Sequence, residues 1–148
     1  MPTVGEMLAS VAARLAAAGI DNGRLEARLL VGDATGLAVE AMIADPGAAI
    51  NDAGVIARVE RLTKRRLTRE PMSQILGSRE FWSLPFKVTP DVLTPRPDSE
   101  TLVEAVLSVV PDRSARLSLL DLGVGSGCLL LALLHALPNA RGLGVDRS

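Results

Sequence analysis

A single cysteine, Cys128, stands among the 148 residues, so no intrachain disulfide can brace the fold. One histidine, His135, accompanies it, and the two cannot supply a structural zinc site, which takes four such ligands. Charge of one sign is missing as well: 16 lysines and arginines stand against 17 aspartates and glutamates, a net charge of −1. A chain so balanced has no global field to draw in nucleic acid or an anionic membrane. The longest apolar stretch, Cys128–Pro138, includes His135 and falls well short of the ~20 residues that span a bilayer. The first residues lack the basic start and continuous apolar core of a secretory signal. These absences predict a cytoplasmic protein of one ordinary domain or two small ones.

What is present falls into three parts. Residues 1–70 read as a bundle of short helices. Thr3 and Glu6 form a capping-box pattern, and Val4, Met7, Leu8, Val11 and Leu15 recur at helical spacing as far as Gly19. A second helix is predicted from Asn22 to Thr35, burying Leu25, Leu29 and Leu30, with Gly36 ending it. A third covers Ala38–Ala44 and stops at Asp45-Pro46-Gly47. A fourth follows Asn51-Asp52, turns Val55, Ile56, Val59 and Leu62 inward, and stops before Pro71. Alanine dominates and bulky side chains are few, so the core is thin, and no catalytic constellation stands in it. Arg58, Arg61, Arg65 and Arg69 line one helical face with Lys64 and Arg66 beside them. They read as a solvated surface, since Glu60 and Lys64 are spaced as an ordinary helix pair.

Residues 71–97 change character. Phe81, Leu84, Phe86 and Val88 lie among Gly77, Pro85, Pro90, Pro95 and Pro97, which predicts a β-hairpin linker with stiff turns. Trp82 is expected to pack under that hairpin. Residues 98–148 start on a helix with Asp98 as its cap and Glu100 in its first turn, where the macrodipole favours an acid. Leu102, Val103, Val106 and Leu107 form its expected buried face, and Pro111-Asp112 closes it.

The stretch "LLDLGVGSGCLLLALL" (119–134) follows. Leu117–Leu120 is short and apolar, as a strand buried on both faces should be. Cys128–Leu137 is leucine- and alanine-rich without β-branched residues, and reads as a buried helix. Between them Asp121, Gly123, Gly125 and Gly127 spell D-x-G-x-G-x-G, with Val124 and Ser126 in the gaps. Strand, glycine turn and helix open a nucleotide-binding βαβ unit. A dinucleotide fingerprint needs glycine at 128, where Cys128 stands, and a phosphate-gripping Walker loop needs a lysine that is not there. A second strand, Gly142–Val145, ends in Asp146, about 20 residues past the turn, where an acid can accept both hydroxyls of a ribose. A glycine turn with a strand-end acid suits the adenosine of S-adenosylmethionine. The plain alternative is a tight turn followed by a strand-capping aspartate, with Cys128 as a small packing residue and His135 on the helix surface.

From Arg69 onward the sequence resembles the HemK/PrmC family, the release-factor glutamine methyltransferases. The stretches that carry the resemblance are "REPMSQILGSREFW" (69–82), "LPFKVTPDVLTPRPDSE" (84–100), the glycine-turn stretch and "GVDRS" (144–148). The Pro-Arg-Pro segment with its following acids is particular to this family, whereas the glycine turn is common to many methyltransferases. Glutamine methyltransferases acting on a ribosomal protein look similar, yet their equivalent segment departs from Pro-Arg-Pro plus acid. Val124 stands where the family has threonine, Thr94 where it has an aliphatic residue, and Asp98-Ser99 where it has Glu-Thr.

The resemblance implies an α/β fold: a small N-terminal helical bundle (1–70), a hairpin linker (71–97) and the first βαβ of a Rossmann-like class I methyltransferase domain (98–148). It implies S-adenosylmethionine as cofactor, held by Gly123, Val124, Gly125, Ser126, Gly127 and Asp146. It implies peptide chain release factors as partners through residues 1–70, no direct contact with nucleic acid, and a monomer. Arg96, stiff between two prolines, either organises the active-site edge or pairs with Asp98 or Glu100. No catalytic residue is assigned, because the family's Asn-Pro-Pro-Tyr signature is not among the 148 residues. The expectation is therefore a fragment of such an enzyme, inactive alone. Two other readings are a non-catalytic release-factor-binding module and a dehydrogenase fragment, the latter disfavoured by Cys128.

Overall fold

Helix α1, Val4–Ala17, opens on the capping box expected of Thr3 and Glu6. The Glu6 N–H donates to Thr3 Oγ1 at 3.2 Å, and the Thr3 N–H donates to Glu6 Oε2 at 2.9 Å, so two amides that the helix leaves unpaired are satisfied. Helix α2, Gly23–Thr35, ends at Gly36 in the left-handed conformation. Its inward face is not the one the leucine spacing suggested. Gly23, Ala27, Leu30 and Val31 are buried, while Leu25 is 55% exposed and Leu29 37%. The reason lies in how closely α1 approaches: a β-carbon on Gly23 would meet the Ala12 carbonyl oxygen at 3.1 Å and Leu15 Cβ at 3.3 Å. Gly23 and Ala27, one turn apart, let α2 lie close against α1, and Leu30 and Val31 continue that buried face.

Helix α3, Val39–Ala44, buries Met42. Helix α4, Ala53–Leu67, is capped by Asp52, whose Oδ1 accepts from the Gly54 N–H at 2.7 Å. Val59 and Leu62 join Leu15, Leu30 and Val31 in one core. Backbone bonds from Val4 to the Ala48 carbonyl and from Ile50 to the Pro2 carbonyl, both 2.9 Å, tie the chain start to the α3–α4 connection. Helix α5, Met72–Leu76, occupies the start of the stretch expected to be linker, and Ile75 belongs to the same core.

The arginine row is exposed at Arg58, Arg61, Lys64 and Arg69, as a solvated surface should be, yet most of its arginines also hold partners. Arg58 pairs with Asp33 at 2.8 Å, Arg66 with Glu26 at 2.7 Å, and Arg65 with Glu70. Arg69 donates to the carbonyls of Ala18 and Gly19, at 2.6 and 3.3 Å, just past the end of α1. Arg14 adds a further pair, to Glu60 at 2.6 Å. The Arg58, Arg66 and Arg14 pairs join helices of the same unit, while Arg65 holds Glu70 just past the end of its own helix.

The structure, a computed structural model, describes residues 1–147; Ser148, the last residue of the "GVDRS" stretch, lies outside them. It divides into two units, Met1–Leu76 and a second beginning at Gly77. In the second, strands β1 (Ser78–Phe81) and β2 (Leu84–Lys87) form the expected antiparallel hairpin. Its turn residues, Trp82 and Ser83, both have positive φ, 53° and 58°. Trp82 sits at the hairpin tip and is half-buried against the cluster of Phe81, Phe86, Val103, Cys128 and Ala132.

A short 3₁₀ turn, Pro97–Ser99, precedes helix α6, Glu100–Val109. Asp98 does not cap α6. It lies inside the 3₁₀ turn, because Pro97 sets its own φ and starts the turn early, and its carbonyl accepts from the Thr101 hydroxyl at 2.7 Å. Val103 faces inward as expected, but Leu102 is exposed. Strand β3, Ser118–Leu122, helix α7, Cys128–Ala136, and strand β4, Arg141–Val145, complete a βαβ unit with parallel pairing in which Leu120 meets Leu143 and Leu122 meets Val145. The expectation of a strand buried on both faces fails: α7 covers one face, and Leu120, Leu122, Leu143 and Val145 are exposed on the other. An α/β chain with a helical first unit and a strand–turn–helix–strand second unit is the architecture the sequence predicted.

Candidate functional site

The turn between β3 and α7 is built by three glycines with φ of 81° (Gly123), 51° (Gly125) and 76° (Gly127). Side chains with a β-carbon avoid this region, so glycine is required here by conformation alone. The end of β4 pins the turn. The Val145 carbonyl accepts from the N–H groups of both Gly123 (2.7 Å) and Val124 (3.1 Å), and the Val124 carbonyl accepts from the Gly127 N–H at 2.8 Å. Helix α7 then starts directly from Gly127, with only a long Ser126 Oγ contact, 3.4 Å, to the Cys128 N–H.

The glycines of this region do two different jobs. A β-carbon at Gly123 would meet nothing within 4 Å, and one at Gly125 only the Gly123 carbonyl oxygen at 4.0 Å. The ground above them is open. A β-carbon at Gly142 would instead lie 2.8 Å from Leu130 Cδ1, and one at Gly144 2.6 Å from Val124 Cγ2. Those two, missed in the sequence, let α7 and Val124 lie directly on β4. Their signal is the alternation R-G-L-G-V, in which every residue on the α7 side is glycine.

Asp146 arrives at the turn across 21 residues of sequence. Its Oδ2 accepts from the Gly125 N–H at 2.7 Å, and its Oδ1 accepts from the Arg147 N–H at 2.6 Å. The fold thus brings Gly123, Val124, Gly125, Ser126, Gly127 and Asp146 to one strand end.

Arg96 is exposed in extended backbone at φ −100° and ψ 140°. The alternative in which it pairs with Asp98 or Glu100 is not found: among the described residues it forms no ion pair. Glu100 is engaged elsewhere, accepting from the Trp82 N–H at 2.9 Å. Cys128 is buried, and His135 is exposed in the last turn of α7. No cluster of three metal-ligating side chains occurs among the described residues, and no helix there is long and apolar enough to cross a membrane.

Residues 6–77 match the family model of the PrmC N-terminal domain. Over 153 aligned residues the chain is 40% identical to the release factor glutamine methyltransferase of Bradyrhizobium diazoefficiens, covering 99% of this chain and 51% of that protein. Proteins of the same name from Rhodospirillum rubrum and Caulobacter vibrioides are 46% and 44% identical, over 97% and 91% of this chain and 43% and 46% of their own lengths. The chain spans about half the length of the curated relatives it matches.

Proposed function

We propose that this chain forms the cofactor-holding start of a protein-glutamine methyltransferase that acts on peptide chain release factors. One observation carries the reading: Asp146 stands on a glycine turn whose upper surface is open. A ligand that lies flat on backbone and offers a pair of hydroxyls fits that arrangement, and the adenosine of S-adenosylmethionine is such a ligand. The relatives' name supplies the methyl-transfer chemistry.

S-adenosylmethionine supplies a methyl group already activated on a sulfonium, so attack by an amide nitrogen needs positioning more than a strong base. In this chain Gly123 and Gly125 leave room for the adenosine, Asp146 accepts from the ribose hydroxyls, and Val124 forms an apolar wall. The first turn of α7, just past Gly127, offers N–H groups to polar parts of the ligand. Arg96, held between prolines, is assigned to the active-site edge by the family resemblance alone. The Asn-Pro-Pro-Tyr segment that in the family holds the glutamine amide is not among these residues, so the 148 residues alone are expected to transfer no methyl group. The helical unit grips the protein substrate. That unit has its own core, which also keeps open a second reading, a module that binds release factors without catalysis.

The test joins residues 1–148 to the remaining half of the Bradyrhizobium diazoefficiens relative and follows transfer of labelled methyl to a release factor. Asp146→Ala in that protein should weaken S-adenosylmethionine binding by roughly 10- to 150-fold, the value of one or more hydrogen bonds to a charged acceptor. Asp146→Asn should fall between. Unchanged affinity in calorimetry, with circular dichroism intact, would reduce Asp146 to a strand cap.

A further inference from the structure

The outer face of α2 carries the two leucines that the sequence pattern turned inward, Leu25 and Leu29. Beside them, one helical turn apart, stand Arg24 and Arg28, both exposed. Neither makes an ion pair or a side-chain hydrogen bond among the described residues. Within their unit they share this with Arg61, whereas Arg14, Arg58, Arg65 and Arg66 each hold a carboxylate and Arg69 holds two carbonyls. Arg24, Leu25 and Arg28 also border a trough of about 760 Å³ between α1 and α2, floored by Ala9, Ala13 and Ala16. Exposed apolar side chains grouped in a concavity and rimmed by charge mark binding surfaces rather than chance exposure.

We propose that this trough docks an acidic, amphipathic helix of a protein partner. Guanidiniums at i and i+4 match carboxylates spaced by one turn on a facing helix, and each can accept a bidentate bond. The alanine floor lets the partner's backbone come close, and Leu25 supplies the apolar contact beside it. Asp21, the one carboxylate lining the trough, repels acids from that end and so fixes which way the partner lies. The proposal rests on the methyltransferase reading only for the partner's identity, a release factor bound away from its methylated glutamine.

The experiment measures fluorescence anisotropy of the 148-residue chain with two labelled helical peptides of glutamate, alanine and leucine. One carries glutamates four residues apart on one face, and the other has lysine in their place. The acidic peptide should bind saturably below about 1 mM and the lysine peptide should not. Arg24→Glu/Arg28→Glu should weaken the acidic peptide about tenfold or more at low salt, with the difference shrinking near ~0.5 M salt. Arg61→Glu, an exposed position on α4 outside the trough, should leave binding unchanged. Equal binding of both peptides, no effect of the double substitution, or an equal effect of Arg61→Glu would overturn the proposal. A release factor serves as a second probe. If the acidic peptide binds and the release factor does not, the trough stands and the substrate reading fails. If the release factor binds equally to wild type and double variant, the trough is not its docking site and the proposal fails while the substrate reading survives.

Discussion

Arg14 reaches Glu60 across 46 residues with two nearly parallel hydrogen bonds of 2.6 and 3.0 Å, the bidentate geometry in which guanidinium and carboxylate interact most strongly. The hydrogen bond from Arg14 holds the Glu60 carboxyl below its usual 4.5, against the opposing effect of burial and with help from the charges of Arg14 and Lys64. A carboxyl depressed on folding contributes stability that is complete above its unfolded value and lost as pH falls through the folded one. Both side chains are more than a third exposed, 36% and 44%, so solvent screens the pair and its worth at neutral pH is about 0.5–1 kcal/mol. Glu60→Gln should destabilise the chain by that amount in urea titrations at pH 7. The gap between variant and wild type should narrow as pH falls below the unfolded value of about 4.5 and close once the folded wild-type carboxyl is protonated as well. A gap that does not narrow at all as pH falls below the unfolded value would mean that packing, not charge, holds Glu60.

The hairpin formed by β1 and β2 turns through two non-glycine residues in the left-handed region, Trp82 and Ser83. Two-residue hairpins prefer such a turn because its twist matches the strands, but they usually fill it with Asn-Gly. A side chain in that region costs roughly 1–2 kcal/mol, while glycine costs roughly 0.5–1 kcal/mol in lost chain freedom. Ser83→Gly, at an exposed position, should therefore stabilise the second unit by up to about 1 kcal/mol, seen as a higher thermal midpoint for Trp82 fluorescence. Trp82→Gly should not, since it would also remove a ring packed on the Phe81–Phe86 cluster. The hairpin's place was legible from phenylalanines alternating among prolines, but its turn was not, since nothing in Trp-Ser advertises positive φ. The glycine turn was legible because its glycines answer to local backbone conformation. Gly142 and Gly144 answer to a helix lying across them, and the inward face of α2 answers to the approach of α1. Those are facts of tertiary packing, which periodicity within one element does not contain.

Across the whole molecule the two units differ in how completely each buries its apolar residues. The helical unit gathers residues from α1, α2, α3, α4 and α5 into one core. The second unit has a small cluster around Phe81 and a sheet face on which Leu120, Leu122, Leu143 and Val145 stay in contact with water. Trp82 is the only tryptophan in the chain, so its emission reports the second unit, while far-ultraviolet circular dichroism is dominated by the helices of the first. Urea should produce two displaced transitions, fluorescence first and circular dichroism second, because the unit with less apolar burial unfolds more easily. Coincident transitions would show instead that the units melt as one. The structure divides after Leu76, because Ile75, in the short helix α5, has its packing partners in the helical core, whereas the composition changes near residue 71.

The clasp between Gly125 and Asp146 also has a place in time. A chain emerges from the ribosome from its first residue to its last, and all partners of the helical unit lie within the first 76. The glycine turn has no such independence. Gly123 and Val124 receive their acceptor only when Val145 is made, and Gly125 waits one residue longer. During synthesis the surface proposed to grip a partner is therefore complete while the turn proposed to hold a cofactor is still an unpinned loop. An in-frame deletion of the codons for residues 141–147 would spare every described helix and leave that turn without its anchor.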